Sequence, residues 1–165
     1  MPVSDQGVSL DRYMLIPRVL VFVTRDQEVL LLRGGNSKRL WAGRYNGIGG
    51  HLEPGEDALS AARRELLEEA GIQAELRLVG TLVVDTGQNP GVGIYIFTGQ
   101  SCAGSLRPSR EGTPKWIAWE QVRDLPVVED LPVLLERVRA AGPISLPFSA
   151  HSCYDAAGKL VVRFA

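Results

Sequence analysis

The chain has 165 residues, 45% of them hydrophobic, with 18 lysines and arginines against 19 aspartates and glutamates and a formal charge of −1. That much apolar side chain builds a core and excludes a disordered chain. The near balance of charge excludes wholesale binding of nucleic-acid polymers, which relies on excess cations, but leaves open a small anionic ligand whose charge a metal ion could offset. The longest wholly apolar runs, such as Val19–Val23, are too short to cross a bilayer. The start, Met-Pro-Val-Ser-Asp-Gln, lacks the basic and apolar parts of a secretory signal. Cys102 and Cys153 have no paired spacing, which argues against a disulfide framework or a zinc site. These features point to a cytoplasmic protein forming one domain over 1–165, with residues 1–12 as a loose N-terminal segment.

From Arg18 to Leu32, two runs rich in Val and Leu flank the polar stretch Thr24–Glu28, which predicts two strands and a turn. Residues 34 to 50 are glycine-rich and predict a loop entering a short strand. Asp57–Ala70 is composed of good helix formers, with Gly71 placed to stop the helix. Strands are predicted over Glu75–Val84, Gly93–Thr98 and Lys115–Trp119, and a second helix over Asp130–Ala141, ended by Gly142-Pro143. The tail, with Tyr154–Gly158 ahead of Leu160–Phe164, predicts a closing hairpin. Strands and helices in this order imply an α/β or α+β layer architecture, with helices covering a sheet.

The first helix carries the chemistry. At 100° per residue, Glu65, Glu68 and Glu69 fall within one arc, while Leu59, Leu66 and Leu67 point to another side that could anchor the helix. Ala58, Ala61 and Ala62 lie upstream on the acidic side, small enough for another backbone to approach. Three carboxylates on one arc repel one another, and near a helix C-terminus the dipole disfavours them. A divalent cation would compensate, and all-oxygen ligands suit the hard ions Mg²⁺ and Mn²⁺. Arg64 can pair with Glu68 at i+4.

Gly50, Glu56, Arg64, Glu65, Leu66, Glu68, Glu69, Gly71 and Ile72 match every position of the Nudix box, so the sequence resembles the Nudix hydrolases over residues 50 to 72. The resemblance implies an α/β fold, the α/β/α sandwich with a mixed β-sheet. It also implies hydrolysis of a nucleoside diphosphate linked to another group, with Mg²⁺ or Mn²⁺ and water attacking phosphorus. Carried over residue by residue, Glu65, Glu68 and Glu69 are the implied metal ligands and catalytic residues, joined by the Gly49 carbonyl. Glu56 and Arg64 are the implied orienting pair.

Outside the box the chain resembles the MutT-type nucleoside triphosphate pyrophosphatases, some of which remove oxidised purine nucleotides such as 8-oxo-dGTP. Ala42–Gly50 looks like the group's Gly-Arg-Trp-Asn-Gly-Phe-Gly-Gly stretch, with Tyr45 where Trp is usual and Asn46 as the implied reader of the base edge. Glu111, followed by Pro114 and Trp116, matches the spacing of a later acid that joins the metal site or acts as base in relatives, and a surface carboxylate is the competing reading. Glu129 and Asp130 stand near the paired acids that bind the base, without the aromatic residue that precedes them in the group; Asp130 also stands where a helix N-cap would. Arg33 is a candidate phosphate contact, and His51 a residue facing solvent beside the phosphates. Trp41, Trp116 and Trp119 read as core or pocket wall, and His151 carries no functional signal.

The implied reaction is cleavage of a nucleoside triphosphate to the monophosphate and pyrophosphate by a monomer or homodimer with a small-molecule substrate. The alternatives are the same chemistry on a sugar nucleotide or dinucleotide polyphosphate, and a non-catalytic nucleotide-binding regulatory domain.

Overall fold

The computed structural model describes residues 2–35 and 41–165, with the backbone alone for Val3, Ser4, Ser101 and Cys102. The predicted loop therefore lies partly outside the described residues, as does the Cys102 side chain on which the disulfide expectation rests.

The chain builds one mixed sheet flanked by two helices. β1 (Leu15–Arg25) and β2 (Glu28–Gly34) form the predicted hairpin, but they pair only at its closed end, Thr24 opposite Val29 and Arg25 opposite Glu28. Beyond it the strands part, and residues 45–51 fill the fork. β3 (Tyr45–Asn46) pairs with β2, while Ile48 and His51 bridge to Val21 and Arg18 of β1. β4 (Ile72–Val84), β5 (Gly91–Gly104) and β6 (Gly112–Ala118) follow, then β7 (Phe148–Tyr154) and β8 (Leu160–Phe164). The strand order is β3-β2-β1-β5-β4-β7-β8, with β6 on β2; β1 is parallel to β5, and β4 to β7.

The alternation of β1 and β2 assigns the two faces. Val19, Val21, Val23, Leu30 and Leu32 pack under α1 (Ala58–Ala70). Leu20, Phe22, Val29 and Leu31 pack on the other side with Leu131, Leu134 and Val138 of α2 (Leu131–Ala140). This is the expected α/β/α sandwich.

α1 begins and ends on local signals. The Asp57 carboxylate caps it, accepting from the N–H groups of Leu59 (2.8 Å) and Ser60 (3.0 Å). Gly71, at φ 76°, closes it with an N–H donated to the Leu67 carbonyl at 3.0 Å. Three expectations need correction. Leu67 is 41% exposed and does not anchor the helix; Ala61, Ala62, Leu66 and Ala70 do, with Glu65 and Glu69 on the same inward side. Trp119 opens a short 3-10 turn over Trp119–Asp124 instead of ending a strand. Asp130 is not a side-chain cap: its backbone is helical and its carboxylate accepts no cap hydrogen bond, while Pro132 in the first turn needs no acceptor. At the N-terminus, Asn89 Nδ2 donates to the Arg12 carbonyl at 3.0 Å, tying the end of that segment to the β4–β5 connection.

Candidate active site

The fork between β1 and β2 brings the Gly49-Gly50 backbone against the inward side of α1. Val19 N–H donates to the Gly50 carbonyl at 2.9 Å, and Val21 exchanges bonds with Ile48 at 2.7 and 3.2 Å. Gly49 N–H in turn donates to Glu69 Oε2 at 3.0 Å. The fit leaves no room for side chains. A Cβ on Gly49 would lie 2.1 Å from the Val19 carbonyl oxygen, and one on Gly50 2.1 Å from Glu65 Oε1. No N–H among the described residues donates to the Gly49 carbonyl.

Arg64 organises the carboxylates. Its Nε and Nη2 grip Glu56 at 2.7 and 2.9 Å, and Nη2 also donates to the His51 carbonyl at 3.0 Å. Its Nη1 donates to Glu65 at 2.8 Å and Glu68 at 3.3 Å. Part of the repulsion along the helix is therefore offset by a cation the helix itself carries. Glu65 and Glu69 are buried, whereas the Glu68 side chain is 60% exposed. Among the described residues, no three acidic, imidazole or thiol side chains already converge as a metal-holding group; in this arrangement Glu65 and Glu68 face Arg64. Burial pushes the His51 imidazole down, helped by Arg18, whose Nε donates to His51 Nε2 at 3.1 Å.

The Arg64 guanidinium, with the Glu53 N–H, holds the Glu56 carboxyl at about 2, well below its ordinary 4.5. A depressed folded value means the stabilisation is fully present above about pH 4.5 and is lost as pH falls toward 2. Glu56→Gln removes that dependence. The wild-type thermal midpoint should fall more steeply than the variant's across this window and meet it near pH 2. Parallel curves would show that the pair does not form in solution.

Two cavities meet at this backbone. One, open to solvent, is lined by Glu65, Glu68, Glu69, Glu111, His51 and Arg64. The other, about 260 Å³, has an apolar floor that includes Val84, Val92 and Ile94, with Asn46, Glu129 and Asp130 at its wall. Arg18, Trp41, Gly49 and Gly50 belong to both. Asn46 Oδ1 accepts the Gly47 N–H at 2.8 Å, which fixes the amide and leaves its NH₂ as the group for a ligand. Burial, with Glu129 alongside, pushes the Asp130 carboxyl up. Glu111 is exposed, and its N–H donates to Ser109 Oγ at 3.2 Å.

Arg33 is not brought to either cavity lining. On β2 its Nε approaches the Gly43 carbonyl at 3.4 Å and its side chain faces solvent. Trp41, read from the sequence as core or pocket wall, is wall: it is half exposed, adopts φ 59°, and lines both cavities. Its sequence signal, an aromatic next to a glycine-rich loop, was present but unspecific. Trp116 and Trp119 instead lie under Arg25 and Arg139, with guanidinium carbons 4.2 and 5.4 Å from the ring centroids.

Residues 14–138 match the NUDIX domain family. The chain belongs to the Nudix family. An oxidized purine nucleoside triphosphate hydrolase from Mus musculus is 33% identical over 129 residues, covering 74% of this chain and 81% of that one. A protein of the same name from Danio rerio is 31% identical with the same coverage. Among solved structures, the mutator MutT protein from Bacillus halodurans superposes with a TM-score of 0.75 at 23% identity, over 91% of this chain and 97% of its own, a likeness of fold. The protein is thus a Nudix hydrolase, a class that generally needs a divalent metal. No helix among the described residues is long and apolar enough to cross a membrane.

Proposed function

We propose that this Nudix hydrolase cleaves a purine nucleoside triphosphate, with an oxidised base preferred, to the nucleoside monophosphate and pyrophosphate. The observation that carries the reading is the junction of an apolar cavity with an acidic one across Gly49-Gly50. A ligand with a flat base at one end and a polyphosphate at the other matches that division. The relatives named for oxidised purine nucleotides support the base class.

Glu65, Glu68, Glu69 and the Gly49 carbonyl are the oxygen donors that would hold a hard divalent ion, Mg²⁺ or Mn²⁺, once Glu68, which is exposed, turns toward the other two. When bound, that ion supplies positive charge to the phosphate oxygens and activates water. Glu56 and Arg64 act as the orienting pair, since Arg64 fixes the rotamers of Glu65 and Glu68. Glu111 serves the same cavity from the loop before β6. Asn46 donates to the base edge. Asp130, whose carboxyl is pushed up by burial and by Glu129 beside it, faces the base edge from the same cavity wall. Arg33, whose side chain lies outside both cavities, has no part in this reading. The protein acts in the cytoplasm on a small nucleotide, as a monomer or homodimer over one domain.

The test is product release with Mg²⁺ from 8-oxo-dGTP, dGTP, ADP-ribose and diadenosine polyphosphates. Preference for 8-oxo-dGTP with pyrophosphate as product is expected; turnover of the linked diphosphates alone would retain the helix chemistry and discard the base assignment. Asn46→Ala should change the ratio of kcat/KM between bases by about 3- to 10-fold, the scale of one hydrogen bond. An equal loss on every nucleotide would remove Asn46 from base reading.

A further inference from the structure

Among the described residues, one buried side-chain polar atom has no hydrogen-bond partner: the Ser152 hydroxyl. Ser152 is 1% exposed. It lies in a registered row that crosses five strands: Ile16 opposite Val92, Val92 opposite Val84, Val84 opposite Ser152, and Ser152 opposite Val162. Every other member of that row is aliphatic. A buried hydroxyl without a partner costs stability, so packing alone favours Ala or Val at this position. The preceding inward residue on β7 is indeed Ala150, buried in the core. The Ser152 backbone has its own task, its carbonyl accepting the Asp85 N–H at 2.8 Å. The surplus polar atom is the hydroxyl alone.

The row is also a cavity floor. Val92, Val84 and Ser152 line the apolar cavity with Tyr154 and Leu160. In the sheet order β7 stands three strands from β1, about 14 Å at ordinary strand spacing. Asn46 and Asp130 reach the cavity from the other side, where Tyr45 of β3 pairs with Val127. Ser152 therefore addresses a different edge of any flat occupant.

We propose that Ser152 is a specificity-determining residue whose hydroxyl hydrogen-bonds a polar atom on the base edge remote from Asn46. The proposal rests on the reading that this cavity receives a purine. A hydroxyl both donates and accepts, so it suits a carbonyl, a ring N–H or an exocyclic amine.

The test compares wild type, Ser152→Ala and Asn46→Ala with Mg²⁺ on dGTP, on dITP, which lacks the exocyclic amine, and on 8-oxo-dGTP, which adds a C8 carbonyl and an N7 proton. Thermal midpoints are measured without nucleotide. Ser152→Ala should change the kcat/KM ratio between two of these substrates by about 3- to 10-fold. The change should fall mainly on KM, and the midpoint should be equal or higher. Unchanged ratios with Ser152→Ala, whatever the midpoint, overturn the proposal; so does a lowered midpoint with uniform loss on all substrates, which is a structural role. If Asn46→Ala shifts the ratios and Ser152→Ala does not, the cavity still receives the base and Ser152 is excluded. If neither variant shifts them, or wild type turns over none of the three, the base is not read here and both readings fall.

Discussion

Glu69→Gln should lower turnover by about 10²- to 10³-fold or more, the scale of losing a group that acts on transition-state charge, while leaving the thermal midpoint unchanged or slightly raised. Glu69 is 3% exposed, and its Oε2 accepts the Gly49 N–H at 3.0 Å. Glutamine keeps an oxygen for that bond and nearly the same shape. What disappears is one negative charge, four residues from Glu65 and one residue from the end of α1. Removing it relieves repulsion and an unfavourable dipole contact, each worth a few tenths of a kcal/mol. Steady-state turnover beside a melting curve separates the two effects. Wild-type activity would take Glu69 out of the chemistry. A midpoint several degrees lower would make its charge part of the fold instead.

The helix carrying Glu69 was legible because its signals are local. Asp57 caps it, Gly71 ends it, and the box residues between them keep fixed spacings along one turn after another. The same locality explains the β1–β2 turn and the β7–β8 hairpin, which Asp155 Oδ1 closes by accepting from Ala157 and Lys159 N–H, both at 2.9 Å. What the sequence hid is set by pairing between distant segments. β5 extends to Gly91–Gly104 and β4 begins at Ile72 because each finds a partner, not because Gly91 or Gln73 favours a strand. The fork filled by residues 45–51 appears only when β1 and β2 are seen to part. Leu67 reads as an anchor by periodicity, yet the helix turns its small alanines inward, because the Gly49-Gly50 backbone must come close to Glu65 and Glu69. Ser152 is unremarkable on paper; its meaning depends on the four aliphatic residues that register brings into line with it.

That close approach yields the second large expected effect, which distinguishes two adjacent glycines. Gly49→Ala should cost about 3 kcal/mol of stability and so lower the midpoint by roughly 10 °C. Its Cβ would meet backbone, 2.1 Å from the Val19 carbonyl oxygen and 3.2 Å from the Leu20 Cα. The segment cannot back away without breaking the bonds that tie Ile48 and Gly50 to β1. For Gly50→Ala the three nearest atoms all belong to the Glu65 side chain, with Oε1 at 2.1 Å and the carboxyl carbon at 2.6 Å. Glu65 can swing aside, so the midpoint should stay within a few degrees of wild type. Swinging, however, gives up the 2.8 Å bond from Arg64 and moves a carboxylate of the implied metal set. The expected loss in kcat/KM is about 10- to 100-fold, the scale seen when residues that orient metal ligands are disturbed. Melting curves and steady-state rates on the two variants decide the matter. If Gly50→Ala melts as early as Gly49→Ala, the glycine pair serves packing alone; if it melts normally and loses activity, Gly50 is there to leave room for the Glu65 carboxylate.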